Sequence, residues 1–521
     1  MMALLLDGLV AVPFAFAVST WLLAGREAVA VGVAVAGGVV TFAWSLWAYV
    51  ASSAALDGSH VDQAWISQLG VRWHLGLDGI SGPLVLMTTL VLALCLVSLI
   101  RHDPGCGARG QLAALLLLIE AGVLGSFLAL DLVLFFAFFE VALIPMWFVI
   151  NGWGDRHDEA GRRKAASRFL VFTVLGSALM LVGFMLVHAG SGTFDIVRIA
   201  ADYRPSGATG VAAAVLVALG LAIKTPLWPL HIWLPDAHSK APTVGSVVLA
   251  AVLLKLGTYG LVRFWLPVAD PSWRVLVPFV AGLAVVGIVY AALACLAQTE
   301  LKRLIAYSSV GHMGFVVLAV ATFTVGGVQA AVYASVAHGL ITGLLFFLAG
   351  AIKDRYGTGD LDRLRVLYGR VPRLAGVFAF AAMASLGLPG LAGFWGEMLA
   401  IRSAVYPAGA LPQVTFVVLA VIAAFGVILT SAYFLALMRG MLQGAPASVR
   451  PVNESVPSIE LATSEVDPGT PMAGAVRPDV DRMEWATWSP LLVLTVVLGV
   501  APGFLLVPVA EAARAFFGGL G

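Results

Sequence analysis

Charge is what this chain has least of. Only 11% of its 521 residues are Asp, Glu, Lys or Arg, and the formal net charge is +1. That balance, with no basic patch interleaved with aromatics, argues against a nucleic-acid partner. Cysteine is also scarce: Cys95, Cys106 and Cys295 are scattered and none forms CxxC. Neither a zinc site nor an iron–sulfur site is suggested. Cys95 and Cys295 fall in apolar stretches, where cysteine usually acts as a small core residue. The chain has no GxGxxG at a strand–helix turn and no P-loop, so no nucleotide site is visible. No pair of helices arranges histidines in a way that compels haem.

Apolar sequence fills the space that charge leaves. The chain is 60% hydrophobic, with a mean hydropathy of +0.97. Runs of about twenty apolar residues, the length that crosses the hydrocarbon, recur from end to end. Hydropathy predicts an all-α polytopic membrane protein with about fourteen spans. They fall near 3–23, 28–50, 79–100, 111–129, 131–151, 166–189, 209–231, 243–264, 275–297, 303–323, 328–351, 374–400, 413–439 and 488–514. The first 25 residues lack a positive n-region and a cleavage site, and read as an uncleaved span. The segment from Ala51 to Leu77 is longer than a tight turn and is expected to cover the outer face.

Lys and Arg set the orientation. Loops after odd-numbered spans carry roughly 21 of them, and loops after even spans with the C-terminal tail roughly 7. Arg156, Arg162, Arg163, Lys164 and Arg168 share one odd loop; Lys353, Arg355, Arg363, Arg365, Arg370 and Arg373 share another. The odd loops are therefore expected in the cytoplasm and both termini outside. Residues 441–487 are rich in Pro, Ser, Glu and Asp without apolar period, and read as a poorly ordered cytoplasmic linker.

Two spans are interrupted. Span 7 breaks around Lys224-Thr225-Pro226 and Pro229, and span 12 around Gly387-Leu388-Pro389-Gly390. Matching breaks point to inverted repeats with the transport site at their interface. The expected units are spans 4–8 (111–264) and spans 9–13 (265–440), preceded by 1–110 and followed by the linker and a last span at 488–521. The competing explanation is that Pro and Gly are common in membrane helices. Each break, however, lies beside a charged residue.

Four ionisable residues sit inside these apolar segments: Glu140, Lys224, Lys255 and Glu397. At the bilayer centre each costs about 2.5–3.5 kcal/mol, so together roughly 10–14 kcal/mol, comparable with the whole stability of a domain. They are tolerated only if they face protein or water and find partners. Glu140 and Lys255 lie about ten residues from either end of their spans, beyond easy snorkelling. Lys224 adjoins a break whose freed carbonyls are expected to draw in water or polar partners. Glu397 follows the second break by seven residues and lies nearer a helix end. His231, His312 and His338 are candidate relays. Singly, each reads as a satisfied buried histidine. Glu120 is a further possible proton acceptor, and Asp131 reads as a helix N-cap.

Long strings within 75–439 carry a family resemblance. They are LGLDGIS (75–81), DLVLFFAFFEVALIPM (131–146), KTPLWPLHIWLPDAHSKAPTVGSVVLA (224–250), LKRLIAYSSVGHMGF (301–315) and GLPGLAGFWGE (387–397). The chain resembles the antiporter-like membrane subunits of respiratory complex I, the proton-pumping NADH–quinone oxidoreductase. In that family the second broken helix carries lysine in subunits L and N and glutamate in subunit M. Glu397 and the absence of a long lateral helix favour subunit M. The resemblance implies a Glu140–Lys224 ion pair, a central relay at Lys255 and a terminal residue at Glu397, with His231, His312 and His338 on the polar axis. It implies no cofactor in this chain, FMN, iron–sulfur clusters and quinone in partner subunits, and L- and N-type neighbours in a bacterial plasma membrane. A sodium/proton antiporter subunit and a membrane-bound hydrogenase subunit share the core. A structural spacer, its buried charges only locking helices together, is the remaining reading.

Overall fold

The computed structural model describes residues 2–53, 59–101, 108–203, 205, 207–269, 275–443 and 479–518. Twelve helices among them are long and apolar enough to cross a membrane, and two shorter apolar helices, Gly82–Ser98 and Pro372–Ser385, occupy the third and twelfth predicted spans. These helices follow one another in the order of the predicted spans. Three details differ.

The first is a β-hairpin in an otherwise helical chain. β1 (Ser59–Ile66) pairs antiparallel with β2 (Val71–Leu77) around Gly70, whose φ is +70°. Leu130 N–H donates to the His74 carbonyl at 2.8 Å, and the turn at 129–131 pairs in turn with 194–196. The hairpin is thus fastened to the ends of several helices.

The second concerns the last span, expected unbroken from 488 to 514. It starts earlier, at Arg482, and is split into Arg482–Val500 and Gly503–Phe517. Asp481 and Glu484 form a reciprocal capping box that fixes this start. Pro502 has no N–H to give the Leu498 carbonyl, and Tyr333 Oη donates to that carbonyl at 2.7 Å instead.

The third concerns the linker. Of 441–487, residues 441–443 end a helix (Gln413–Gln443) and 479–487 are placed; 444–478 lie outside the described residues. Arg355 donates to both Glu484 oxygens at 2.7 Å and to the Asp479 carbonyl at 3.0 Å. Asp479 accepts from the backbone N–H groups of Arg373 and Leu374.

Two helices form the centre. Thr243–Trp265 and Val325–Tyr356 are enclosed by protein along their apolar windows, with no lipid-facing side. Close approach allows this: a Cβ on Gly339 would run into Met87 Sδ and stand 3.0 Å from the Ala251 carbonyl oxygen. Small residues permit such contacts between membrane helices. The helix Thr243–Trp265 is not regular. Leu249–Leu253 and Leu261–Trp265 are π-helical, wider turns that bracket Lys255.

Ion pairs collect at one end of the bundle. Lys353 reaches Asp155 at 3.3 Å, Lys240 reaches Asp158 at 2.7 Å, and Arg168 and Arg303 both reach Asp236. The hairpin caps the opposite end, where Arg263, 1% exposed, reaches Asp78 at 2.5 Å.

Candidate functional site

Span 7 stops as an α-helix at Lys224 and resumes as a short helix, Leu234–Lys240. Two of the carbonyls at this break accept from protein donors. Leu227 N–H donates to the Ala222 carbonyl at 2.9 Å, and Trp233 Nε1 to that of Ile223 at 3.0 Å. The expectation of water or polar partners is met at these two groups by protein donors.

The Lys224 side chain does not snorkel. It is 2% exposed, and Nζ stands 5.2 Å from the Phe139 ring centroid and 5.5 Å from that of Phe169. Ring faces attract a cation weakly compared with a carboxylate. Nζ has no hydrogen-bond partner, and neither has Glu140 Oε1. The implied Glu140–Lys224 pair is thus open here: the residues sit on Leu132–Trp153 and Gly207–Lys224, with no direct bond between them. Glu140 is nonetheless the carboxylate whose charge bears on Lys224.

Lys255 is wholly buried. Its Nζ donates to the Ala250 carbonyl at 2.7 Å and lies 2.6 Å from His338 Nδ1. The π turn just before it supports this arrangement, because it presents a carbonyl five residues back. Gly257 brings the same helix against the first break. A Cβ there would collide with Thr225 Oγ1 and stand 3.0 Å from the Lys224 carbonyl carbon.

A chain of polar groups continues from Lys255. The rings of His338 and His312 are 5.6 Å apart. His312 Nδ1 lies 2.9 Å from Glu397 Oε1, and its Nε2 lies 3.1 Å from Ser385 Oγ. A small cavity lined by His312, His338, Thr342, Ser385, Gly396 and Glu397 adjoins these groups. His338 Nε2 and Glu397 Oε2 are buried without a protein partner. Glu397 sits on Ala392–Val405, immediately beyond the second break at 386–391.

The structure therefore joins Lys255, His338, His312 and Glu397. It sets Glu140 and Lys224 near one another without contact. His231 lies apart, packed against Tyr290 and Tyr307. Glu120 is fully buried, and neither oxygen finds a partner. Asp131 is an N-cap as expected, accepting from Val133 and Leu134 N–H groups at 2.9 and 3.0 Å.

Two residues are missed by sequence reasoning. His238 is fully buried, stacked on Phe346 at 4.5 Å, with both ring nitrogens unpartnered. Lys302 is 6% exposed and donates to the Ala241 carbonyl at 3.0 Å. Both fall at predicted span ends, where hydropathy assigns residues to solvent. The one signal for His238 is its place directly after the Pro-rich break.

Comparison with known proteins places this geometry. Residues 129–426 match the family described as NADH:quinone oxidoreductase/Mrp antiporter, transmembrane. A curated relative, NADH-quinone oxidoreductase subunit M of Rhodobacter capsulatus, is 38% identical over 487 residues, covering 91% of this chain and 87% of the relative. A chain of respiratory complex I from Thermus thermophilus superposes with a TM-score of 0.81 at 29% identity, each chain covered completely. A chain of the Mrp complex from Dietzia sp. DQ12-45-1b shares the fold, with a TM-score of 0.81 at 23% identity and coverage of 99% and 97%. The chain belongs to the NADH:quinone oxidoreductase/Mrp antiporter transmembrane family, as an antiporter-like membrane subunit.

Proposed function

We propose that this chain is the M-type subunit of a proton-translocating NADH–quinone oxidoreductase and moves protons from the cytoplasm to the outside. The observation that carries the reading is the polar chain Lys255–His338–His312–Glu397, which begins on the two helices enclosed by protein and continues onto Leu301–Val320 and Ala392–Val405. Redox chemistry in other subunits, which would hold FMN, the iron–sulfur clusters and quinone, supplies the energy. L- and N-type subunits are the proposed neighbours in the membrane arm. The basic loops face the cytoplasm and both termini the outside, in keeping with the gathering of Lys and Arg at the end opposite the hairpin.

The switch is the open pair. A carboxylate approaching Lys224 favours its charged form, and a retreating one favours release of the proton. Glu140 acts from the fifth span on Lys224 of the seventh, and the groups over which Nζ stands are the rings of Phe139 and Phe169. A released proton passes toward Lys255, whose helix touches the Lys224–Thr225 backbone at Gly257. From there it follows His338 and His312 to Glu397. Water bridging His338 Nε2 and Glu397 Oε2 in the adjoining cavity would complete the path. Spans 4–8 and 9–13 serve as two repeated units, each supplying one broken helix.

The test is Lys224→Ala, measured as NADH-driven acidification of inverted membrane vesicles, with NADH oxidation and assembly as controls. Lost pumping and slowed turnover in an assembled complex are expected. Normal turnover with normal acidification would leave Lys224 a structural lysine. A sodium requirement for transport would instead move the chain to the sodium/proton antiporters, whose fold it matches equally well.

A further inference from the structure

On the hairpin end of the molecule, Asp62, His74 and Asp195 each bring one potential ligand atom within 4.8 Å of the others. They come from three places in the chain. Asp62 and His74 are directly paired across β1 and β2, and Asp195 caps the short helix Ile196–Asp202. His60, two residues before Asp62, shares its face of the strand. Its ring stands 5.9 Å from that of His74.

His74 separates this cluster from ordinary surface acids. It is 5% exposed, and its Nδ1 is buried without a hydrogen-bond partner. The nearest oxygen, Asp195 Oδ2, lies at 3.4 Å. Asp195 spends its other oxygen on the backbone N–H groups of Val197 and Arg198, so Oδ2 is the one turned to the imidazole. Tetrahedral zinc with bonds of about 2.1 Å places its ligand atoms roughly 3.4 Å apart. The buried pair already has that spacing, and the two exposed residues, Asp62 and His60, have to move inward.

We propose that Asp62, His74 and Asp195, with His60 as a fourth ligand, form a site for a divalent transition-metal ion of the zinc type on the outer face. Mixed imidazole and carboxylate donors suit zinc better than calcium or magnesium, which take oxygen ligands. Two guanidinium groups compete for the same oxygens: Arg72 pairs with Asp62, and Arg198 Nε lies 3.7 Å from Asp195 Oδ2. Both belong to side chains with access to water, 33% and 64% exposed, and can swing out. A bound ion would tie the hairpin to the loop after the helix Glu159–Ser191.

The experiment uses the intact purified complex, stripped with EDTA and dialysed against graded ZnCl2, with zinc counted per complex. Wild type is compared with Asp62→Asn, His74→Gln and Arg72→Gln. Wild type is expected to hold one more zinc than Asp62→Asn or His74→Gln, or to hold it at least tenfold more tightly. Arg72→Gln, which keeps every ligand and removes a competitor, is expected to bind that zinc several-fold tighter. Zinc-edge X-ray absorption should show imidazole in the extra site. Equal zinc uptake by wild type and Asp62→Asn, or no effect of Arg72→Gln, would overturn the proposal. Asp62 and Arg72 both lie outside the buried part of the site, so these two variants remain decisive even where His74→Gln fails to assemble.

Discussion

His338 offers the sharpest perturbation of the polar chain, because two substitutions there separate its two roles. Lys255 has two partners for its Nζ, the Ala250 carbonyl and His338 Nδ1. In His338→Leu, one of those partners disappears from a fully buried lysine. An unsatisfied buried donor costs about 1–3 kcal/mol, and each 1.4 kcal/mol is a factor of about ten in rate. Proton transfer through Lys255 should therefore slow by roughly ten- to hundredfold. The leucine also removes the ring that stands between Lys255 and His312 in the chain described above. His338→Gln is the informative companion. Its amide oxygen can accept from Lys255, so most of the lost stability should return, yet an amide does not carry protons at neutral pH. The assay is dye-reported acidification of inverted vesicles driven by NADH, normalised to assembled complex, alongside a thermal melt of the purified complex. Both variants should lose acidification, and only His338→Leu should lose melting temperature. Full pumping in His338→Gln would refute the relay and leave His338 as an acceptor that merely satisfies a buried lysine.

Three further outcomes follow from packing and charge. Gly257→Val drives a side chain into Thr225 Oγ1 and the Lys224 backbone; overpacking of this kind costs about 1–3 kcal/mol, readable as a lower melting temperature with pumping impaired in whatever assembles. Arg355→Ala deprives Glu484 of a two-pronged partner and frees the Asp479 carbonyl; bonds to charged groups are worth about 1.5–3 kcal/mol, so a lowered melting temperature is expected, and an unchanged one would show that apolar packing alone seats the last span. At Asp155, burial alone would raise the carboxyl pKa, but Lys353 at 3.3 Å and the His157 N–H hold it below the ordinary value. A depressed folded-state value means that this stabilisation is present above the usual carboxylate range and is lost as pH falls through the folded-state value. The stability difference between wild type and Asp155→Asn should accordingly be constant near neutrality and vanish in acid; a difference that grows with acidity would contradict the assignment.

The buried charges were legible because apolar context makes them conspicuous. Glu140, Lys224, Lys255 and Glu397 each interrupt a run that water cannot reach. Their partners were not legible, since contacts such as Lys255 with His338 join residues 83 positions apart. Hydropathy also misjudged span ends. It assigned His238 to a loop, although that residue lies in a buried half-helix, and it started the last span at 488 because Arg482 and Glu484 dilute the apolar signal. The Asp481–Glu484 spacing was a readable capping box that hydropathy does not weigh. The hairpin was legible only as a long segment. Its strands are short, and their pairing depends on anchorage to the turns at 129–131 and 194–196.

The two π turns around Lys255 make its position a matter of counting. A π turn holds one residue more than an α turn, and one residue corresponds to about 100° of helical rotation. Were 249–253 to tighten into an ordinary α-helix with all five residues kept, the stretch would wind further around its axis. Everything beyond it would then turn by about a quarter of a circle relative to Thr243–Val248. No side chain in the polar chain would have changed, yet Lys255 and Gly257 could not both keep their present neighbours. The alignment of the lysine with His338 on one side and the broken span on the other is thus stored in backbone winding as well as in the lysine itself.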